Sequence, residues 1–127
     1  MKTIRFYPVA PSGVNYRNLL LDRKKWTTTR LKEFDGDRYL KQLKLGDDVS
    51  ITCGFDPEMV ETVGQGKITR VLLKKMKEVT KQDLVGESPD AVTPQLLGVC
   101  MNQIYSPLIG REVTGEDFVA IFSWQYH

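Results

Sequence analysis

Apolar and polar positions alternate from Thr3 to Tyr7 and stop at Pro8, which predicts a first strand followed by a turn at Pro11, Ser12 and Gly13. The period then lengthens. Asn15 can cap a helix in which Tyr16, Leu19 and Leu20 share one face, and Arg23 to Lys25 fall at its C-terminal end, where cations meet unpaired carbonyls. Three β-branched residues in a row, Thr27 to Thr29, predict a strand, and the charged stretch Leu31 to Leu45, with Phe34, Tyr39, Leu40 and Leu43, reads as a loop holding a short helix. Leu45 to Asp48 is a turn into a strand over Val49 to Cys53. Asp56 to Gly66 is acidic and punctuated by glycine and proline, which predicts a loop or hairpin tip, and Lys67 to Leu73 resumes as a strand with one wet face.

Toward the end of the chain Thr80 and Asp83 have the spacing of a capping box. Thr93 caps and Pro94 opens the clearest helix, whose apolar face is Leu96, Leu97, Cys100, Met101, Ile104 and Tyr105, with Pro107 and Gly110 as its stops. Phe118 to Trp124 is almost continuously apolar and short, the pattern of a strand covered on both faces. Strands with helices inserted between them, without regular βαβ alternation, predict an α+β fold, a small barrel of five to six strands with two to three helices.

At 127 residues the chain is expected to form one domain, 1–127. No apolar run is long enough to span a bilayer or direct secretion, so a cytoplasmic protein without a membrane partner is expected. Cys53 and Cys100 are far apart among small or apolar neighbours and read as buried thiols. With one histidine, His127, at the chain end, the residues offer no zinc-type ligand set, and neither a metal nor another cofactor is expected.

The net charge of +2 conceals an asymmetry: nine basic residues oppose four acids between Asn15 and Lys44, whereas seven oppose twelve from Leu45 onward. The basic region points to an anionic or polar ligand but falls short of a surface dominated by phosphate contacts. Its densest part is Lys24, Lys25, Trp26, Thr27, Thr28, Thr29, Arg30. On a strand, Thr28 and Arg30 share a face, and a turn before Thr27 would bring Lys25 round to join them. The same residues can equally be a solvated basic turn before an edge strand.

Four segments resemble the ASCH family of PUA-like small barrels. Asp22 to Arg30 is similar to its lysine, threonine and arginine signature after the first helix; Leu45 to Ile51 to its glycine and aspartate turn entering a strand; Gly66 to Glu87 to its strand, basic stretch and downstream glutamate; and Phe118 to Trp124 to its closing strand. Asp22 stands where the signature has glycine, Trp26 replaces its first threonine, and Leu31 to Lys44 is longer than in the smallest members. The resemblance therefore places Trp26 at the pocket mouth and makes the longer segment a lid or contact surface. It implies a single ASCH-like domain whose partner is RNA or a modified nucleoside. Its bacterial acetylcytidine amidohydrolases assign catalysis to residues matching Lys25, Thr28 and Glu87, with Arg30 closing the signature.

An amide hydrolase must activate a nucleophile and stabilise an oxyanion. Thr28 offers a hydroxyl. Either Glu87 is the base while Lys25 stays cationic, or Glu87 is protonated and Lys25 is the base. Arg23, Lys24, Trp26 and Arg30 are the expected ligand-binding residues, the first two as cations and Trp26 as a stacking surface for a base. Two other readings use the same residues: a noncatalytic RNA-binding module, or a ribonuclease that would work without a histidine in the body of the chain. As structure alone, the trio would be a buried ion pair with a bonded hydroxyl.

Overall fold

The computed structural model describes residues 2–127. Its strands are β1 (Lys2–Phe6), β2 (Thr27–Leu31), β3 (Asp48–Cys53), β4 (Glu61–Lys75) and β5 (Phe118–Tyr126), and its helices are α1 (Tyr16–Leu21), α2 (Asp37–Gln42) and α3 (Pro94–Ile109). The strands form one curled sheet, a half-barrel, in the order β1-β3-β4-β5-β2. β1 runs parallel to β3, and the other pairs are antiparallel.

The apolar run of β5 has a direct cause. Successive side chains of a strand point to opposite faces. Ala120, Phe122 and Trp124 enter one core with Ile4, Phe6, Leu20, Tyr39 and Ile51, whereas Val119 and Ile121 enter a second with Leu31, Leu84, Leu97, Met101 and Tyr105. One core is packed by α1 and α2, and the other by α3. A strand buried on both sides cannot alternate with polar residues.

The capping signals are realised in atoms. Asn15 accepts from the Asn18 N–H at 2.9 Å, Thr93 accepts from the Leu96 N–H at 3.2 Å, and Thr80 and Asp83 cap each other reciprocally around a short 3₁₀ turn. α3 runs through Pro107 and ends at Gly110, whose φ of +75° provides the left-handed stop, so only one of its two expected stops acts. Leu96 lies outside the buried stripe of that helix.

The expected hairpin tip from Asp56 to Gly66 is shorter than the sequence implies, because β4 begins at Glu61 and extends to Lys75. Gly64 and Gly66 belong to the strand. A Cβ on Gly64 would lie 2.9 Å from the Tyr126 ring, and one on Gly66 would lie 2.6 Å from the carbonyl oxygen of Gln125. They mark close approach inside a sheet, not a turn.

The two edge strands are covered by side chains. The Arg5 N–H of β1 donates to the Tyr39 hydroxyl at 3.2 Å, and its carbonyl accepts from Arg30 of β2 at 2.7 Å. The segment between β2 and β3 forms a wide π-helical turn, Lys32–Gly36, that passes directly into α2.

Candidate active site

A turn decides which basic residues face inward. Arg23 adopts a left-handed conformation with φ 59°, and after it Lys25 points into the molecule while Arg23, Lys24 and Trp26 point out. The Trp26 and Thr27 N–H groups both donate to the carbonyl of Gly86, at 2.9 and 3.1 Å, and the Thr27 hydroxyl donates to the Val85 carbonyl at 2.7 Å. Those bonds hold the turn before Glu87 against the start of β2. Gly86 itself has φ +89°, and a Cβ there would collide with the Trp26 ring.

Lys25 and Glu87, 62 positions apart in the chain, consequently meet as a buried ion pair, with side chains 2% and 4% exposed. The Lys25 ammonium also donates to the Thr27 carbonyl at 2.9 Å and to the Ser88 hydroxyl at 3.3 Å, so its three hydrogens are all directed at acceptors. The Phe6 and Tyr16 rings lie 5.5 and 5.1 Å from its nitrogen. Glu87 accepts further from the Ser88 N–H at 2.9 Å and the Thr29 hydroxyl at 3.2 Å. Taking two charges out of water is costly unless such partners surround them.

Thr28 is held by Arg30, whose Nε donates to the threonine hydroxyl at 3.0 Å. Burial opposes charge on that guanidinium, but Tyr39, Tyr105 and Asp35 around it raise its pKa above the usual arginine value. Its ends donate to Asp35 at 3.2 Å and to the Arg5 carbonyl, and the Tyr105 hydroxyl donates to the other oxygen of Asp35 at 2.8 Å. The Phe6 and Tyr39 rings stack on it at 4.7 and 5.1 Å. With its oxygen accepting from a fixed cation, Thr28 keeps its own proton to donate.

Lys25, Thr28, Thr29, Arg30 and Glu87 all line one cavity of about 270 Å³, which lies where the two cores meet. Phe34, Asp35 and Arg38 form one wall, so the longer segment after β2 builds part of the pocket. Tyr7 and Phe55, with ring centres 4.7 Å apart, and Arg5 stand in the same lining.

Behind the ion pair a second set of polar groups gathers on Asp90, which accepts from Ser88 at 2.7 Å, Ser12 at 2.6 Å and Tyr16 at 2.9 Å. Burial pushes the Asp90 pKa up, but these hydrogen bonds and nearby Lys25 outweigh it and leave the carboxyl below its usual range. Burial raises Tyr16 well above an ordinary phenol, and drives the thiols of Cys100 and Cys53 up to about 12 and about 11. Both cysteines are buried and free. Neither thiol is set up to react at neutral pH.

Three expected ligand-binding residues lie away from this cavity. The Arg23 guanidinium sits over the Tyr126 ring at 5.8 Å, Lys24 is exposed, and Trp26, 37% exposed, rests on Gly86 beside Tyr126 and Gln125. Trp26 does not form the pocket mouth, because in an extended segment the residue after an inward Lys25 faces outward. The polar cavity-lining residues that the sequence did not assign to the site are Arg5, Tyr16, Thr29, Asp35 and Arg38, with Ser88 and Asp90 behind the ion pair. Thr29 alone carried a signal, since it belongs to the threonine run.

Two solved structures share this architecture. A protein of Enterococcus faecalis V583 from the family DUF984 superposes with a TM-score of 0.67, covering 98% of this chain and 78% of its own at 13% identity. The ASCH domain of Lactobacillus crispatus JV V101 superposes with a TM-score of 0.64, covering 99% of this chain and 81% of its own at 14% identity. This chain has the ASCH fold. No protein-family model matches the chain, and no curated protein matches it by sequence. Among the described residues no three His, Cys, Asp or Glu side chains converge as metal ligands, and no helix is long and apolar enough to cross a membrane.

Proposed function

We propose that the cavity binds a modified nucleoside and hydrolyses an amide on its base, with N4-acetylcytidine as the type substrate. The observation that carries this reading is the Lys25–Glu87 ion pair at a cavity that also presents the Thr28 hydroxyl held by Arg30. The volume, just below the roughly 300 to 1,000 Å³ common for small-molecule sites, suits one nucleoside better than a polymer.

In this mechanism Lys25 and Glu87 act as one proton relay. Lys25 passes a proton to Glu87 along their hydrogen bond, and the amine so formed takes the proton of Thr28 as its oxygen bonds to the acyl carbon. Arg30 stabilises negative charge on the attacking oxygen. The carbon–nitrogen bond then breaks, and the leaving amine takes the proton from Lys25. Water attacks the acyl-threonine by the reverse sequence, which releases the acid and restores the hydroxyl. The ion pair re-forms when Glu87 returns its proton.

The test is turnover of N4-acetylcytidine, followed by release of cytidine, for the wild-type protein and a Glu87→Gln variant shown to be folded. The variant is expected to lose about 10² to 10⁴ in rate, the usual worth of a positioned acid–base group. Undiminished turnover in Glu87→Gln, or none in the wild type, removes the reading.

A second reading rests on a separate surface outside the cavity. Trp26 is exposed, with Arg23 and Lys24 beside it in the chain, and Thr69, Gln125 and Tyr126 complete a shallow depression. An aromatic face with neighbouring cations is the usual platform for single-stranded RNA. That role requires salt-dependent RNA binding weakened by Trp26→Ala, and no binding at low salt eliminates it.

A further inference from the structure

Two cations in the cavity lining have no internal work. Of the seven arginines, Arg17, Arg30, Arg70 and Arg111 donate side-chain hydrogen bonds to the protein, whereas among the described residues Arg5, Arg23 and Arg38 find no such acceptor. Arg5 and Arg38 both line the cavity. The acids of that lining are Asp35 and Glu87, and both are already engaged, by Arg30 with Tyr105 and by Lys25.

Each guanidinium is steadied by a ring. Arg5 stands 6.0 Å from the centre of Phe55, and Arg38 stands 5.0 Å from that of Tyr39. A guanidinium lying over a ring keeps its N–H edge available, and that edge suits a bidentate grip on a tetrahedral oxyanion. The two arginines come from separate elements, β1 and α2. The neighbouring rings of Tyr7 and Phe55 offer a base a stacking surface.

From this we infer that the ligand carries a phosphate on its sugar, held by Arg5 and Arg38 while the base reaches toward Lys25 and Glu87. The inference rests on the nucleoside reading of the cavity and narrows it to a nucleotide. The phosphate belongs either to a free mononucleotide or to the end of an RNA strand; the chemistry at the two arginines is the same.

The experiment measures equilibrium binding, independent of turnover, for cytidine, cytidine 5′-monophosphate, cytidine 3′-monophosphate and a cytidine-ended RNA tetramer phosphorylated at that end. The wild-type protein should bind one monophosphate about tenfold or more tightly than cytidine, an advantage that shrinks with added salt. In Arg5→Gln/Arg38→Gln, checked for an unchanged melting temperature, the ratio of monophosphate to cytidine affinity should fall to within about twofold. Equal affinity of the wild type for cytidine and both monophosphates overturns the inference, as does an advantage that survives in the double variant. A tetramer that binds at least as tightly as the monophosphate, with the same arginine dependence, assigns the phosphate to RNA; weaker binding assigns it to a free nucleotide. Failure of N4-acetylcytidine hydrolysis alongside arginine-dependent monophosphate binding would fall on the reaction alone.

Discussion

The Arg30 guanidinium of β2 donates to the Arg5 carbonyl of β1, so the two edges of the sheet are joined by a side chain where no ladder exists. The same group orients Thr28 and binds Asp35, which ties closure of the half-barrel to assembly of the cavity. A lysine ammonium is a point charge and cannot serve three acceptors in that plane. Arg30→Lys should lower stability by about 2 to 4 kcal/mol and speed amide exchange in β1 more than in β4. Denaturant titration with hydrogen exchange measures both. Uniform exchange across the sheet would contradict the bridging role.

Removing one member of the Lys25–Glu87 pair strands the other almost wholly buried, since the two side chains are only 2% and 4% exposed. Lys25→Met should cost about 3 to 5 kcal/mol, and the double variant Lys25→Met/Glu87→Gln should recover a large part of it. Urea unfolding of the two variants gives the comparison. Equal losses in both would mean that the carboxylate is not stranded.

Gly86 connects fold to site more tightly than its size suggests. A side chain there meets both a positive φ and the face of Trp26. Gly86→Ala should destabilise by roughly 2 to 4 kcal/mol and alter Trp26 fluorescence. A variant with native stability and emission would show that the turn before Glu87 tolerates another backbone path.

Much of this architecture is readable from residue pattern, because capping and burial are local or periodic. Asn15, Thr93 with Pro94, and the two-faced β5 announce themselves in that way. The meeting of Lys25 and Glu87 is implied by the family resemblance alone, and no local or periodic signal in the residues announces it. What is missing from the sequence is long-range. Nothing near Gly64 reveals that Tyr126 lies over it, nothing near Arg5 places it beside Arg30 of β2, and nothing near Asp90 places it beside Tyr16 of α1. Trp26 misleads because its chemistry suits stacking, while its direction depends on the left-handed turn at Arg23.

Asp90 makes stability depend on acid. Its folded pKa is depressed, so the unfolded chain binds a proton first as pH falls below about 4. The contribution is fully present above that value and is lost as pH drops through the folded pKa. Melting temperature should therefore fall more steeply from pH 4 to pH 2 in the wild type than in Asp90→Asn, whose stability is already lower at pH 7. Parallel curves would show that Ser12, Ser88 and Tyr16 do not hold Asp90 ionised.

The central claim is tested most directly by the steady-state rate of N4-acetylcytidine deacetylation in Thr28→Val beside Thr29→Val. Both threonines line the cavity, but only the Thr28 hydroxyl is held by Arg30, whereas that of Thr29 donates to Glu87. If Thr28 is the nucleophile, its loss should lower the rate by about 10³ or more, while Thr29→Val keeps the rate within about tenfold. A Thr28→Val protein that turns over like the wild type would contradict the account.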